Sequence, residues 1–215
     1  MNWKKLQNGS DIRGMALEGI EGEHVNLTPE VIETIAKSFV RWIRNNSDCE
    51  TPTIAVGMDC RLSGSSIKSA FVKGAVEVGA NVVDCGLAST PAMFMTTISE
   101  HVKATASVMV TASHLPFNRN GLKFFTPKGG LDSKDIASIL TIAENGEYVF
   151  EGEKGSSSTL DFMDIYSRHI ADYICEGVNA DDYQHPLKGM HIIVDAGNGN
   201  GGFFEKILSA LGADT

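Results

Sequence analysis

The chain contains few cysteines and no long apolar run. Its four cysteines, Cys49, Cys60, Cys85 and Cys175, are widely spaced and form no CxxC pair, so the sequence predicts neither a zinc site nor a disulfide framework. No apolar run approaches the ~18 residues that a membrane-spanning helix needs, and residues 1–5 lack the apolar stretch of a signal peptide. We therefore expect a cytoplasmic protein without a membrane partner.

Positive charge is also scarce. The sequence has 18 lysines and arginines against 27 aspartates and glutamates, which gives a net charge of −9 at pH 7. Nucleic acid is therefore not an expected partner, because binding to a phosphate backbone normally needs a basic surface. Single loops of an acidic protein can still bind anions. Nothing in the composition indicates an oligomeric state.

The sequence does contain an alternation of short apolar runs and helical patterns. Strands are predicted at residues 53–57, 81–85 and 106–110, and helices are predicted to begin near Pro29, Ser63, Pro91 and Ser133. Such alternation is typical of an α/β fold with a mainly parallel sheet. With 215 residues, 42% of them hydrophobic, the chain is long enough for one full domain and part of a second.

A polar segment rich in glycine and serine, residues 152–158, predicts a domain boundary. We expect a first domain over residues 1–155 and the start of a second, similar domain over residues 156–215. In the second part, a helical pattern precedes a predicted strand at residues 190–194 and a further helix. These elements are too few to close a sheet, so the chain is expected to be a fragment.

The segment from residue 111 to residue 123, TASHLPFNRNGLK, contains the strongest candidates for chemistry. Ser113 follows the apolar run 106–110, so it is expected in the loop at the carboxyl end of a buried strand, where open α/β sheets bind ligands. Asn120 and Gly121 predict a turn, and a return strand over residues 122–125 would carry Lys123 back toward the same region. A serine, a histidine and a lysine are therefore expected to converge.

Ser113 could act as a nucleophile or as a carrier of the group to be transferred. A hydrolase of the α/β type is disfavoured, because the sequence around Ser113, with alanine before it and histidine after it, does not form the G-x-S-x-G elbow. A phosphoserine would carry about −1.5 to −2 charges and would need nearby cations, for which the candidates are Arg13, Arg61, His114 and Lys123. The segment alone leaves an alternative open, in which Ser113 is a turn residue and His114 a hydrogen-bonded loop histidine.

Two arginines and one glycine pattern lie in other loops. Arg13 and Arg61 could each bind phosphate, or could lie in solvated turns, with Asp59 and Arg61 as a local ion pair. Residues 197–202 satisfy the G-x-G-x-x-G dinucleotide pattern between a predicted strand and helix. The acidic ribose partner of that pattern would lie beyond Thr215. A tight strand-to-helix connection is therefore favoured over a nucleotide-dependent oxidoreductase.

Several of these loops together resemble those of the α-D-phosphohexomutases, in order and approximate spacing. The matching segments are residues 10–14, 57–63, 86–91, 111–123 and 194–202. The most specific part is the family's T-A-S-H-N-P loop followed by N-G-x-K, which reads TASHLP and NGLK here. The resemblance implies a three-layer α/β/α domain with a mainly parallel mixed sheet, followed by the start of a second similar domain. It also implies that Ser113 passes a phosphoryl group to a hexose monophosphate and receives one back from the bisphosphate.

The resemblance also implies roles for individual residues. Arg13 and Lys123 would stabilise the phosphoserine, and Lys123 and His114 would be the candidates for acid/base chemistry on the sugar hydroxyl. A phosphate oxygen on Ser113 would be one ligand of Mg²⁺, and glucose 1,6-bisphosphate would be the activator. The family's other metal ligands lie in a D-x-D-x-D-R loop, which residues 1–215 do not contain. This part alone is therefore expected to be inactive.

Leu115 departs from the family pattern. It stands where the family has an asparagine, so an amide that can hydrogen-bond is replaced by an apolar side chain that cannot. The sequence therefore supports two hypotheses. The first is the serine-bearing part of a phosphohexomutase, and the second is a non-catalytic homologue that binds sugar phosphates on the same scaffold.

Overall fold

The computed structural model describes all residues from Met1 to Thr215, which form two compact units, Met1–Leu160 and Asp161–Thr215. The boundary lies after residue 160, whereas the sequence predicted it after residue 155. The reason is a short strand, Ser157–Thr159, that pairs with the edge of the first unit's sheet. The polar segment at residues 152–158 therefore leads into that strand and remains part of the first unit.

The first unit contains eight β-strands and four α-helices. The strands are β1 (Gln7–Asn8), β2 (Asp11–Met15), β3 (Thr53–Met58), β4 (Asn81–Leu87), β5 (Ala106–Val110), β6 (Arg119–Thr126), β7 (Gly129–Gly130) and β8 (Ser157–Thr159). The helices are α1 (Pro29–Asn46), α2 (Gly64–Glu77), α3 (Thr90–Met95) and α4 (Ser133–Asn145). A short 3₁₀ helix, Trp3–Leu6, precedes β1.

All eight strands belong to one mixed sheet, in the order β1-β2-β6-β5-β3-β4-β8, with β7 paired to β6. The strands β5, β3, β4 and β8 are parallel, since helices connect β3 to β4 and β4 to β5. The predicted return strand, β6, runs antiparallel to β5 on one side and to β2 on the other. It therefore brings the strand that contains Arg13 close to the loop that contains Ser113.

Side-chain alternation along the strands places helices on both faces of the sheet. Ile54, Val56 and Val108 belong to the main hydrophobic core, to which α1, α2 and α4 also contribute. The next residues along β5 point to the other face, where the Ser107 hydroxyl donates to the main-chain carbonyl of Met93 in α3. The predicted three-layer α/β/α arrangement with a mixed sheet is therefore confirmed.

The helices of the first unit begin at residues that can cap them. The hydroxyl of Thr28 accepts a hydrogen bond from the N–H of Val31, and Pro29 occupies the first turn of α1. At α4, Asp132 accepts from the N–H of Asp135 at 3.0 Å, and the Asp135 carboxylate accepts from the N–H of Asp132 at 3.0 Å. The predicted starts of α1 and α4 therefore have a local physical cause, whereas Ser63 at the start of α2 makes no side-chain cap.

The second unit, Asp161–Thr215, contains α5 (Phe162–Val178), a 3₁₀ helix (Asn200–Gly202) and α6 (Phe203–Ala210). Its small core consists of the buried residues Cys175, Leu187, Ile207 and Leu211. The strand predicted at residues 190–194 is present only as an isolated bridge between His191 and Asp214, because the two segments pair at a single position. None of the α-helices is long and apolar enough to cross a lipid bilayer.

Candidate functional site

Ser113 is exposed and lies in the loop formed by residues 111–118, which connects the carboxyl end of β5 to β6 and is called the serine loop below. Its backbone is in the left-handed region, with φ at 55°. This conformation costs a residue other than glycine about 1–2 kcal/mol, so neighbouring contacts must hold it. One such contact is the hydrogen bond from the Ser113 N–H to the Thr111 hydroxyl, at 2.9 Å.

Asp59, in the loop after β3, holds Thr111 in place. Its Oδ2 accepts the Thr111 hydroxyl at 2.6 Å, and its Oδ1 accepts the N–H of Arg61 at 3.1 Å. The N–H of Asp59 also donates to the carbonyl of Val110 at 3.0 Å. The carboxyl ends of two adjacent parallel strands are thus tied together, and the orientation of Ser113 depends on both.

Arg61 supports the serine loop through four main-chain carbonyls. Its Nη1 donates to the carbonyls of Pro116 and Arg119, at 2.9 Å each. Its Nη2 donates to the carbonyls of Ser113 and Leu115, at 2.8 and 2.6 Å. Both terminal nitrogens are therefore used to fix the loop. Of the alternatives left open for Arg61, the structure favours the local ion pair over phosphate binding, because Nε lies 3.5 Å from Asp59 Oδ2 and both terminal nitrogens donate to carbonyls of the loop.

Two antiparallel strands bring further charged side chains to the serine loop. In β2, Asp11 and Arg13 alternate with Ile12, which is fully buried in the core, so the two charged side chains point to the opposite face. In β6, Lys123 lies between two residues of the same core, so it shares that opposite face. The strand register places β2 directly beside β6. Asp11, Arg13 and Lys123 are therefore neighbours on one face of the sheet.

Gly121 provides the space that Arg13 needs. The two residues are register partners across β2 and β6. A Cβ atom on Gly121 would lie 2.2 Å from the carbonyl oxygen of Ile12 and 2.7 Å from Cδ of Arg13. Any larger residue would therefore push the two strands apart or displace the Arg13 side chain from its path toward the serine loop.

Arg13 contacts both Asp11 and Ser113. Its Nη2 lies 2.8 Å from Asp11 Oδ2 and 3.3 Å from Ser113 Oγ. Lys123 Nζ lies 2.7 Å from the same Asp11 oxygen. The other terminal nitrogen of Arg13, Nη1, is buried and has no hydrogen-bond partner. A serine oxygen beside a guanidinium with an unused donor is suited to binding a tetrahedral oxyanion.

The other two residues of interest in the serine loop, His114 and Leu115, lie outside this cluster. His114 is exposed, and its ring takes part in none of the hydrogen bonds described above. The N–H of Leu115 donates to the carbonyl of Ala112 at 3.1 Å, and its carbonyl accepts from Arg61. Position 115 is thus held through its main chain, so the loop does not need a polar side chain there to fold.

Glu23 holds the end of the serine loop that leads into β6. Its carboxylate accepts from Nδ2 of Asn118, at 2.7 Å, and from Nη2 of Arg119. These hydrogen bonds, that from Asn118 first, lower the pKa of Glu23 from its ordinary value of 4.5. The carbonyl of Asn118 in turn accepts from the N–H groups of Ala16 and Leu17, at 2.7 and 3.1 Å. The segment after β2 is therefore bound to the serine loop.

Residues 1–215 do not form a complete metal site. No group of three or more histidine, cysteine, aspartate or glutamate side chains is arranged to hold a metal ion. The carboxylate that shares Arg13 with the serine, Asp11, is already bonded to two cations, which disfavours a third cation there. The residues present therefore do not by themselves form the Mg²⁺ site that the family resemblance implies.

The sequence patterns did not identify Asp11 or Glu23. Asp11 could have been found, because its spacing of two from Arg13 within a strand places both side chains on one face. Glu23 gave no such signal, because its partners Asn118 and Arg119 are 95 and 96 positions away along the chain. A carboxylate in a long loop is far more often solvated than bonded to a distant segment.

The chain is similar to known proteins over most of its length. Residues 4–149 match the family model described as phosphoglucomutase/phosphomannomutase, alpha/beta/alpha domain I. The chain is 32% identical over 187 residues to the phosphoglucosamine mutase of Streptococcus sanguinis strain SK36, covering 85% of this chain and 39% of that protein. It is 31% identical over 186 residues to the phosphoglucosamine mutase of Streptococcus gordonii, with the same shares covered.

A solved structure has the same fold. The phosphoglucomutase/phosphomannomutase family protein from Burkholderia thailandensis matches with a TM-score of 0.70 at 24% sequence identity, covering 96% of this chain and 42% of that one. At this identity the likeness establishes the fold alone. The chain spans about two-fifths (39%) of the length of the curated relatives that it matches.

Proposed function

The chain belongs to the phosphoglucomutase/phosphomannomutase family, and we propose that it is the serine-bearing part of a phosphohexomutase in which Ser113 carries the phosphoryl group. The proposal is carried by the contact between Arg13 Nη2 and Ser113 Oγ, at 3.3 Å, beside the unpartnered Nη1 of the same guanidinium. A phosphate on Ser113 would have its oxygens next to this donor. Phosphoryl transfer depends on positioning and on neutralised charge, and these residues supply both.

In the proposed reaction, the phosphoserine passes its phosphoryl group to a free hydroxyl of a hexose monophosphate. The bond from phosphorus to the serine oxygen breaks as the bond to the sugar oxygen forms, and the proton lost by the sugar hydroxyl restores the serine hydroxyl. Lys123, held by Asp11 at 2.7 Å, and the exposed His114 are the candidates for moving that proton. The bisphosphate then reorients and returns its other phosphoryl group to Ser113.

Glucosamine phosphate is the first substrate that we propose, because the curated relatives are phosphoglucosamine mutases. Glucose and mannose phosphates are the comparison substrates, given the description of the family model. The chain spans 39% of the length of those relatives, and it lacks a complete metal site. We therefore propose that residues 1–215 alone do not turn over.

A protein that binds sugar phosphates without catalysis is the second candidate, and Leu115 is the observation that favours it. The apolar side chain cannot donate a hydrogen bond to a substrate. A binding protein would use Arg13 and Lys123 to hold a phosphate on the sugar, and Ser113 would remain unmodified. The two candidates therefore differ in whether Ser113 becomes phosphorylated.

The test is a substrate panel on the full-length protein that contains residues 1–215, with Ser113→Ala as the matched control. The 6-phosphates of glucosamine, glucose and mannose are supplied with the corresponding 1,6-bisphosphate, and formation of the 1-phosphate is followed by phosphorus NMR. We expect conversion by the parent protein and none by Ser113→Ala or by residues 1–215 alone. Conversion that survives Ser113→Ala contradicts the carrier role. Binding of the sugar phosphates without conversion supports the second candidate.

A further inference from the structure

The carboxylate of Asp11 is shared by the two cations of the site. Its Oδ2 accepts from Arg13 Nη2 at 2.8 Å and from Lys123 Nζ at 2.7 Å, and the residue is only 9% exposed. The same Arg13 nitrogen lies 3.3 Å from Ser113 Oγ. One donor therefore faces both Asp11 and the oxygen that would carry a phosphate.

We propose that Asp11 is the internal counter-ion of this site. It holds Arg13 and Lys123 in place while Ser113 bears a hydroxyl, and it weakens the hold of both cations on a phosphate bound there. This inference rests on the proposed function, because the phosphate whose binding Asp11 weakens is the one that Ser113 is proposed to carry. Asp11 is thus a positioning residue, which acts on the phosphate through the two cations.

The balance of charge explains both parts of this role. With Ser113 unmodified, one carboxylate and two cations leave a single positive charge, which can attract an anion. A phosphoserine adds about −1.5 to −2 charges, so the cluster then has a small surplus of negative charge. Without Asp11, the two cations would neutralise the phosphate and retain it more tightly. A carrier must release its phosphoryl group as well as accept it, so an over-stabilised phosphoserine would slow transfer.

The side chains of this cluster are buried enough for the effect of Asp11 on phosphate binding to be measurable. The side chains of Asp11 and Arg13 are each 12% exposed and that of Lys123 is 26% exposed, so water screens their charges less than at an open surface. The neighbouring carboxylate, Asp59, accepts from Thr111 and from the Arg61 N–H instead. Asp11 is therefore the carboxylate that directly opposes both cations.

The test is a titration of the full chain with inorganic phosphate at low ionic strength, followed by the amide NMR signal of Ser113. The protein is first shown by intact mass to be unphosphorylated, so the result does not depend on whether Ser113 is a carrier. We expect Asp11→Asn to bind phosphate about tenfold more tightly than the parent chain. The matched control, Asp48→Asn, removes the same charge at an exposed position after α1, at the opposite end of the parallel strands. It should leave the affinity unchanged.

The sign of the change separates a counter-ion from a merely structural residue. If Asp11 only kept Arg13 and Lys123 in position, Asp11→Asn would weaken phosphate binding. An unchanged or weaker affinity therefore overturns the proposal. Adding Arg13→Gln to Asp11→Asn should abolish the gain, and a gain that persists would place the phosphate elsewhere and also overturn it.

A measurement on the parent chain decides the question if Asp11→Asn does not fold. The carboxyl carbon of Asp11 and the Nζ of Lys123 are followed by NMR during the same phosphate titration. Both signals should move with the Ser113 amide and give one dissociation constant, since the phosphate and Asp11 share the same donors. Signals of Asp11 and Lys123 that stay unchanged up to the solubility limit of phosphate contradict the proposal.

Discussion

Arg61 donates a hydrogen bond to the main-chain carbonyl of Ser113 at 2.8 Å, although the two residues are 52 positions apart along the chain. The same guanidinium binds three further carbonyls around the serine. The backbone of Ser113 is therefore held from the loop after β3, while its hydroxyl oxygen is left facing Arg13 from β2. One arginine thus organises the loop, and another faces the oxygen that would carry the phosphate.

Arg61→Lys should loosen the serine loop. Lysine keeps the positive charge but lacks the planar set of donors, so most of the four carbonyls would lose their partner. With the Arg61 side chain 12% exposed, we expect a loss of about 2–4 kcal/mol in the free energy of unfolding. Unfolding in urea can be followed by the fluorescence of Trp3 and Trp42, which both lie in the first unit.

Hydrogen exchange locates the effect of Arg61→Lys. The amides of Leu115 and Arg119, which donate within the serine loop, should exchange faster. Arg41→Lys, at an exposed position on α1, is the control and should change neither measurement. Equal protection of Leu115 and Arg119 in Arg61→Lys and the parent chain would show that the carbonyl contacts do not hold the loop.

Gly121→Ala should disturb the pairing of β2 with β6. The added Cβ would lie 2.2 Å from the Ile12 carbonyl oxygen, a contact that backbone atoms can relieve only by moving apart. We expect a destabilisation of about 2–4 kcal/mol, measured by urea unfolding, and weaker phosphate binding because Arg13 is displaced. Gly130→Ala is the control in the same sheet, since its Cβ would meet only ordinary contacts, the nearest at 3.8 Å. A Gly121→Ala protein as stable as Gly130→Ala would contradict the close approach.

Ser113→Gly should be more stable than Ser113→Ala. Both variants lose the hydroxyl, but only glycine adopts φ at 55° without a steric cost. We expect the glycine variant to be more stable by up to about 1 kcal/mol, measured by the same fluorescence. Ser66, an exposed position within α2, is the control. There the alanine variant should be more stable than the glycine variant, because glycine disfavours helix. An alanine variant at 113 equal to or more stable than the glycine variant would argue against the strained backbone.

Glu23→Gln should destabilise the first unit at neutral pH more than in acid. The hydrogen bonds from Asn118 and Arg119 lower the pKa of Glu23 in the folded chain. Its stabilising effect is therefore complete above the ordinary value of 4.5 and is lost as the pH falls through the lowered pKa. Unfolding curves of the parent and the variant should therefore differ at pH 7 and converge in the acid range. Glu151→Gln, at an exposed position, should match the parent, and a Glu23→Gln deficit independent of pH would contradict this role.

The sequence was sufficient to predict the α/β class, the strand before Ser113 and the return strand that contains Lys123. These features depend on local patterns, namely a short buried apolar run and the alternation along β6. The turn predicted at Asn120 and Gly121 was wrong, because both residues lie inside β6 and pair with β2. Arg13 could be named as one of several candidate cations, but local patterns could not select its contact with Ser113, because that contact requires β2 and β6 to pair across more than 100 positions.

The other contacts of the site depend on where the backbone places donors and acceptors. Residue types alone do not predict those positions. Arg61 looks like a phosphate-binding arginine in sequence, yet its acceptors are carbonyls whose positions follow from the path of the serine loop. The contact of Lys123 with the Asp11 carboxylate, which Arg13 also contacts, depends on the register of β2 against β6. The shift of the unit boundary from residue 155 to residue 160 depends likewise on β8 pairing with β4.

The central claim is that Ser113 carries a phosphoryl group, and the most direct measurement is peptide mass spectrometry after incubation with glucose 1,6-bisphosphate. The full-length protein that contains residues 1–215 is compared with its Ser113→Ala variant. We expect one phosphate on the peptide that contains Ser113, absent from Ser113→Ala and lost when excess hexose monophosphate is added. A protein that converts hexose phosphates while Ser113 is never phosphorylated would contradict the claim.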